Sequence, residues 1–259
     1  MKKNAILLAG SIIVFSCNQS NKEIPKNADM LADNLKGHVE QTIDSTFKTD
    51  SNDKIGEQDS CCVIIQKYDE LGYATQNNSN YRDGAENYKT VFTHDDKGNV
   101  KSVRSIKNGK LISSISVNVG KDGNYSGARS FDSTGKMDSY YTDLTSNDYG
   151  QLTSFRQFKP DSILKMSVTS TYAKQLFTGN SVKDSSGKET YSSKITLDDK
   201  NNVIENTTKE VTKDSTINKT IKYHYDIFDD KGNWTQRTEM DENGKPVQID
   251  KRTITYYKN

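Results

Sequence analysis

Proline, cysteine, histidine and tryptophan are all scarce in this chain, which has three, three, three and one of them among 259 residues. Few prolines means few missing backbone donors, and Pro160 and Pro246 stand at turn edges, where they do not interrupt a strand. No CxxC pair and no His/Cys cluster with zinc spacing occurs, so no metal site is predicted.

Arrangements typical of catalysis are also lacking. There is no G-x-S-x-G and no cysteine beside a plausible base, and the histidines are interpreted as solvated or strand-face residues (His38, His94 and His224). Three acidic pairs precede a lysine, which would occupy the position of a bound cation, so they are interpreted as turn residues (Asp95-Asp96, Asp198-Asp199 and Asp229-Asp230). The sequence therefore predicts no catalytic residue, no cofactor and no enzyme.

Long apolar runs are absent except at the start, where residues 5–15 follow Lys2 and Lys3. The run is shorter than the roughly 20 residues of a membrane-spanning helix and is typical of a signal peptide. It ends in Val14-Phe15-Ser16-Cys17, which resembles the bacterial lipobox, although Phe15 is bulkier than the usual residue. This resemblance implies cleavage after Ser16 and a lipid on Cys17; the alternatives are an ordinary signal peptide with a chance cysteine, or a buried helix.

The residue after Cys17 is Asn18 rather than aspartate, which by the lipoprotein rule favours the outer membrane and leaves the leaflet open. Two acyl chains are enough for stable anchoring. Without residues 1–16 the chain carries one net negative charge. A nearly neutral chain is not expected to bind nucleic acid through bulk electrostatics.

The body of the chain is polar, with 32% hydrophobic residues, yet it has 14 Tyr and 8 Phe. Aromatic and β-branched residues in alternating contexts indicate order rather than disorder. Cys61 and Cys62 are adjacent and would point to opposite faces of a strand. We interpret them as structural thiols, with a vicinal or intermolecular disulfide as the alternative.

One local pattern recurs about ten times beyond a polar segment predicted to be a lipidated tether (residues 17–34). Acidic or polar residues surround a glycine, often followed by Asn or Lys, and β-type runs flank both sides. The instances surround Gly72, Gly98, Gly109, Gly123, Gly135, Gly150, Gly187, Asn201, Gly232 and Gly244. A type I turn followed by a left-handed residue needs Gly or Asn there, so the pattern predicts repeated hairpins.

The predicted fold over residues 35–259 is all-β, an antiparallel meander of repeated β-hairpins with some 12 to 18 strands. Open twisted sheets rarely exceed about 10 strands, so this one is expected either to curl or to close. The form expected is a curled sheet or open barrel-like, and the sequence does not decide whether the sheet closes. The Asp-x-x-Gly-Asn hairpins, with Tyr68-Asp69 and Tyr225-Asp226, resemble the YD/RHS-type repeats of bacterial surface proteins, including repeat-bearing lipoproteins common in Bacteroidetes. That resemblance implies a hairpin array and assigns no catalytic residue.

Aromatic residues are the feature that points to binding, and they concentrate in the last hairpins (Tyr223, Tyr225, Trp234, Tyr256 and Tyr257). Exposed, they would be ligand contacts for a glycan or an envelope protein; buried, they would form the apolar layer of the sheet. Two functions remain open: a membrane-anchored binding or scaffold lipoprotein, and an accessory or immunity-type partner of a secreted repeat protein. A carrier of lipid-like ligands is a variant of the first, and it predicts a concave apolar face.

Overall fold

The computed structural model describes residues 23–49, 54–59, 63–81, 87–121 and 123–258. These residues form one helical turn, α1 (Asp29–Ala32), and seventeen strands. The strands are β1 (Val39–Thr49), β2 (Ile55–Gln58), β3 (Val63–Tyr68), β4 (Ala74–Asn80), β5 (Asn87–His94), β6 (Val100–Lys107), β7 (Lys110–Val119), β8 (Tyr125–Asp132), β9 (Met137–Ser146), β10 (Leu152–Phe158), β11 (Leu164–Ala173), β12 (Leu176–Asp184), β13 (Glu189–Leu197), β14 (Val203–Val211), β15 (Thr216–Phe228), β16 (Trp234–Met240) and β17 (Pro246–Tyr256).

All the strands belong to a single antiparallel sheet. From β3 to β17 each strand pairs with the next one along the chain. β1 then pairs with β17 on one side and with β3 on the other, while the short β2 adds to β1 near Phe47. Apart from β2, the sixteen remaining strands therefore form a ring.

The closing seam joins the two ends of the chain. Gln41 lies opposite Thr255, and the pairing continues without a break to Lys48 opposite Gln248. This confirms the predicted all-β antiparallel meander and corrects the expectation of a curled sheet or an open barrel-like form, because the sheet is a closed barrel. Closure removes the two edges that would otherwise expose rows of unpaired N–H and C=O groups.

The turns have the predicted chemistry. At Asp95, the Gly98 amide donates to the Asp95 carbonyl (3.0 Å), and the Asp95 side chain accepts from the Lys97 and Asn99 amides (2.9 Å each). Gly98 has a φ of +83°, and Asn201, which replaces glycine, has a φ of +67°. The same arrangement recurs at six further turns, those of Asp69, Asp132, Asp184, Asp198, Asp229 and Asp241.

Because successive strands run in opposite directions, successive turns lie at opposite ends of the barrel. The turns that follow the odd-numbered strands from β3 to β15 lie at what we name the covered end. The turns that follow the even-numbered strands from β4 to β16 lie at the far end.

Residues 24–37, which we name the cover segment, cross the covered end. The Met30 amide donates to the Gly72 carbonyl (3.0 Å), the Asn34 side chain to the Asn201 carbonyl (3.1 Å), and the Lys36 amide to the side chain of Asn233 (2.8 Å). The cover segment thus bridges three different hairpins.

The cover segment also buries its apolar residues. Ala28, Met30 and Leu35 are at most 3% exposed and form a core cluster with Val39, Tyr68 and Ala74. From Ile24 onward, this part of residues 17–34 is packed, which differs from the flexible tether expected there. Its few apolar side chains can be buried only after the sheet has closed, because closure forms the open end of the barrel into which they pack.

Candidate functional site

The interior of the barrel is apolar on the side nearer the covered end. Val117, Ala128 and Tyr141 stand directly opposite one another on β7, β8 and β9, and all three border an internal cavity. Phe92 and Val103 form an equivalent pair on β5 and β6. Apolar side chains from neighbouring strands therefore point to one concave face.

The outer face is polar across many strands. Since Phe155 borders the cavity, its neighbour Ser154 faces outward, and so do the residues in register with it. That row of outward residues is Ser154, Thr169, Ser181, Ser192, Lys209 and Asn218. A transmembrane barrel has the reverse distribution, with an apolar outer band and a polar interior.

The cavity has two chambers under the cover segment. The larger measures about 700 Å³ and the smaller about 230 Å³. Ala32, Asp33 and Phe177 border both of them. The larger chamber alone is within the range of roughly 300–1,000 Å³ that is usual for small-molecule sites.

The smaller chamber contains two paired arginines. The Arg252 guanidinium donates two bonds of 2.7 Å to the Asp44 carboxylate, and Arg237 donates to Asp250 (2.9 Å). Both guanidinium groups lie against the Trp234 ring, with Arg252 at 3.9 Å and Arg237 at 4.6 Å from its centre. The Trp234 ring is thus occupied by cation–π contacts within the protein.

Two carboxyl groups near this network have perturbed titration. Burial, followed by the charge of Asp250, raises the pKa of Glu239, although Arg237 lies 3.8 Å away. Burial raises the pKa of Asp33 as well, and the hydrogen bond from Tyr68 offsets this only in part. Both groups therefore favour the neutral form more than an ordinary surface carboxyl does.

The five aromatics singled out from the sequence divide into two groups. Tyr225 and Trp234 border the smaller chamber, Tyr223 lies under the Arg237 guanidinium (4.5 Å from the ring centre), and burial raises the pKa of Tyr223 to about 12. Tyr256 and Tyr257 lie at the covered end, where Tyr256 contacts Asp229 and accepts from Asn233 (2.7 Å), and Tyr257 donates to the Tyr68 carbonyl (2.7 Å). The structure brings the first three together and places the other two in structural hydrogen bonds.

Other predicted features are quickly placed. Cys17, Cys61 and Cys62 lie outside the described residues. His94 is nearly buried, stacks on Tyr73 and lies 3.4 Å from Asp29 of the cover segment, whereas the His224 side chain is exposed on the outer face. Among the residues that the structure describes, no group of three His, Cys, Asp or Glu could hold a metal, and no helix is long and apolar enough to cross a membrane.

Sequence reasoning did not find the cavity-lining Asp33, Arg237 and Arg252. Arg237 and Arg252 stand on strands whose alternation was recognised, but an arginine on an alternating strand is usually a solvated one. For Arg252 the signal is its position in phase with Ile254, which places charge on the face that carries apolar residues. Strict alternation separates Arg237 from Trp234, and the two border the same chamber where the register of β15 and β16 shifts.

The fold and site define a closed antiparallel β-barrel with a largely apolar chamber near its covered end. Among solved structures, the chain is similar to a porin-like protein from Bacteroides uniformis (TM-score 0.52, 13% identity, 85% of this chain and 99% of that one). A porin-like protein from Bacteroides vulgatus (TM-score 0.35, 10% identity, 86% and 100%) also matches. So does a Photorhabdus luminescens Tc holotoxin pore (TM-score 0.29, 10% identity, 80% and 13%). No protein-family model matches the chain, and no curated protein sequence does either.

Similarity at this level of identity concerns the fold alone. The Bacteroides uniformis structure supports the closed barrel architecture over most of both chains.

Proposed function

We propose that this chain is a non-catalytic binding lipoprotein of the cell envelope whose barrel holds an apolar ligand in its interior. The observation that carries the proposal is an internal cavity of about 700 Å³, lined by apolar side chains, inside a barrel with a polar outer face. This is the concave apolar face that the lipid-carrier interpretation requires.

The barrel itself stands in water in this proposal. A row of Ser, Thr, Lys and Asn side chains crosses six strands on the outer face, where a lipid-facing barrel would carry apolar residues. In this proposal the protein is attached to the membrane by the lipid on Cys17 and not by its strands, although a similar solved structure is a porin-like protein. The outer membrane is the proposed location.

The proposed anchor sets the orientation of the barrel. Ile24, where the cover segment begins, is seven positions after Cys17, and an extended chain of that length spans at most about 25 Å. The covered end therefore faces the membrane and the far end faces away. The resemblance of the turns to YD/RHS-type repeats belongs to the same proposal, and it accounts for the architecture rather than for the ligand.

The binding test uses the mature chain with Cys17→Ser and a neutral apolar probe, N-phenyl-1-naphthylamine, in titration calorimetry. Saturable binding at one site is expected. Val117→Trp, which fills the larger chamber, should abolish it, and the adjacent outward substitution Ser116→Trp should leave it intact. Absence of saturable binding by the parent protein, or equal effects of the two substitutions, would contradict the proposal.

The anchor is tested separately by fractionation. Cys17→Ser should give a soluble or unprocessed protein, whereas the parent chain is retained in the membrane fraction. A cleaved Cys17→Ser protein that stays with the membrane would refute the lipid anchor.

A further inference from the structure

The charges around the smaller chamber do not balance. Asp44 and Asp250 each have a guanidinium of their own, because Arg252 binds Asp44 through two bonds and Arg237 binds Asp250. Asp33 borders the same chamber without such a partner, since among the described residues its only side-chain hydrogen bond comes from a neutral phenol. The cavity thus contains a carboxyl group that no cation of the described protein neutralises directly.

Asp33 is held in a defined position at the end of α1. Its Oδ2 accepts a hydrogen bond from the Tyr68 hydroxyl (2.5 Å), and Tyr68 is itself 3% exposed. The backbone amide of Asp33 donates to the Asp29 carbonyl (3.3 Å), which fixes the turn that carries it. Oδ1 accepts no hydrogen bond from the described residues, and Asp33 borders both chambers.

A molecule inside the cavity can reach the side chain of Asp33. Asp33 belongs to the cover segment, and it is exposed where it borders both chambers. Burial raises its pKa, the bond from Tyr68 and the charge of Arg252 lower it, and the charges of Asp29 and Asp44 raise it further. A positively charged group beside the Asp33 carboxyl would lower its pKa and so counter the effect of burial.

We propose that the ligand is an amphiphile whose head group is a protonated amine, which binds Oδ1 of Asp33 while its apolar body fills the larger chamber. This rests on the proposed function and names the chemical class of its ligand. A hydrogen bond between two charged groups is stronger than one between neutral groups, and it is strongest where water is excluded.

An anionic head group fits the site less well. It would approach a carboxyl group that already lies near Asp29 and Asp44, and both guanidinium groups that might attract it are engaged by carboxylates. An alcohol would gain one neutral hydrogen bond. The expected order of affinity is therefore amine, then alcohol, then acid.

The experiment compares dodecylammonium, dodecanol and dodecanoate, each below its micellar concentration, by titration calorimetry on the mature chain with Cys17→Ser at pH 7. Dodecylammonium should bind at least about tenfold more tightly than dodecanoate. Asp33→Asn keeps the acceptor for Tyr68 and should remove about tenfold of the amine affinity with little effect on the alcohol. Asp184→Asn, at a far-end turn, is the matched control and should leave the order of affinities unchanged. An asparagine can form the same turn, since the Asn147 side chain accepts the same two amide bonds at its own turn.

Each outcome decides one point. Equal affinities, tightest binding of the acid, or an unchanged amine affinity in folded Asp33→Asn would overturn the amine assignment and leave the proposed function standing. Binding of none of the three would overturn the proposed function itself. The order of the three probes in the parent protein does not depend on the variant, so it still decides the assignment if Asp33→Asn does not fold.

Discussion

The covered end and the far end of the barrel use the same turn for different purposes. At both ends an Asp side chain accepts hydrogen bonds from two backbone amides, one on each side of a left-handed glycine or asparagine. At the covered end the next residue has a side-chain amide in most turns, and two of these residues, Asn202 and Asn233, are at most 5% exposed. At the far end the next residue is a lysine in four turns: Lys110, Lys136, Lys188 and Lys245.

The glycines of the two ends differ as well, since a Cβ would lie within 4 Å of another residue at every turn glycine of the covered end except Gly123, and at no described turn glycine of the far end. A Cβ on Gly98 at the covered end would lie 2.0 Å from the Tyr73 ring, and one on Gly72 would lie 2.6 Å from Met30. A Cβ on Gly187 at the far end would meet no described atom within 4 Å. One turn motif thus only reverses the chain at the far end, whereas at the covered end it also forms the surface on which the cover segment packs.

The largest expected difference between the ends comes from removing a buried side chain of the cover segment. Met30→Ala should destabilise the protein by about 3 kcal/mol, since Met30 is 1% exposed and such truncations leave a cavity. Ile217→Ala, near the far end and 54% exposed, is the control and should cost under about 1 kcal/mol. Urea unfolding measures the loss of free energy of unfolding in both variants. Equal losses would mean that packing of the cover segment does not stabilise the barrel.

Next in size is the glycine comparison. Gly98→Ala combines left-handed strain with displacement of Tyr73 and should cost about 3 kcal/mol, whereas Gly187→Ala should cost only the strain of about 1 kcal/mol. Thermal and urea unfolding of the pair test this. If Gly187→Ala proved as costly as Gly98→Ala, the difference between the two ends would be one of backbone strain alone.

A smaller difference is expected for the residue after the glycine. Asn233 accepts from the Lys36 amide (2.8 Å) and donates to the Lys36 carbonyl (2.9 Å), so Asn233→Ala leaves buried groups unpaired and should cost about 2 kcal/mol. Lys245→Ala at the far end should change stability by less than about 0.5 kcal/mol. Loss of the bond from the Lys36 amide to Asn233 should speed hydrogen exchange at that amide. Unchanged exchange in folded Asn233→Ala would contradict the role given to Asn233 at the covered end.

The smallest effect is a difference in pH dependence. The bond from the Ser186 hydroxyl, with the backbone amides, lowers the pKa of Asp184, so its stabilisation is present above the unfolded pKa and is lost as pH falls through the folded one. The raised pKa of Asp33 has the opposite sign, and its contribution weakens stability as pH rises above the unfolded value.

Melting temperatures at pH 3 and pH 7 check these signs. Asp184→Ala should reduce the gain in Tm between pH 3 and pH 7, and Asp33→Asn should increase it. Shifts of the same sign in both variants would contradict the assignment.

Much of the architecture follows from the sequence because it depends on local chemistry. The turn at Asp229, for example, is specified by five consecutive residues, and alternation places Tyr223 and Tyr225 of β15 on one face. On β16 alternation fails, because a register shift brings Trp234 and Arg237 to the same chamber. Closure is different, because it depends on the pairing of Gln41 with Thr255 across the whole chain, and no local pattern encodes the curvature that brings those residues together.

The site was harder to foresee than the fold. Alternation separates Val117 from Ser116 but does not state which face is concave, so the apolar cavity appears only once the sheet is closed. Met30 and Leu35 were visible as apolar residues in a polar stretch, yet their packing requires a mouth formed by seven hairpins. Asp33 gives no signal of its own, because an aspartate beside an asparagine is ordinary in a surface segment.

The seam between β1 and β17 also constrains how the protein is made. The first strand has no partner on that side until the last eleven residues of the barrel have been synthesised, so closure cannot begin at the front of the chain. Pairing of residues 200 or more positions apart is slow. The emerging meander therefore keeps an unpaired edge on its first strand until the final strand arrives.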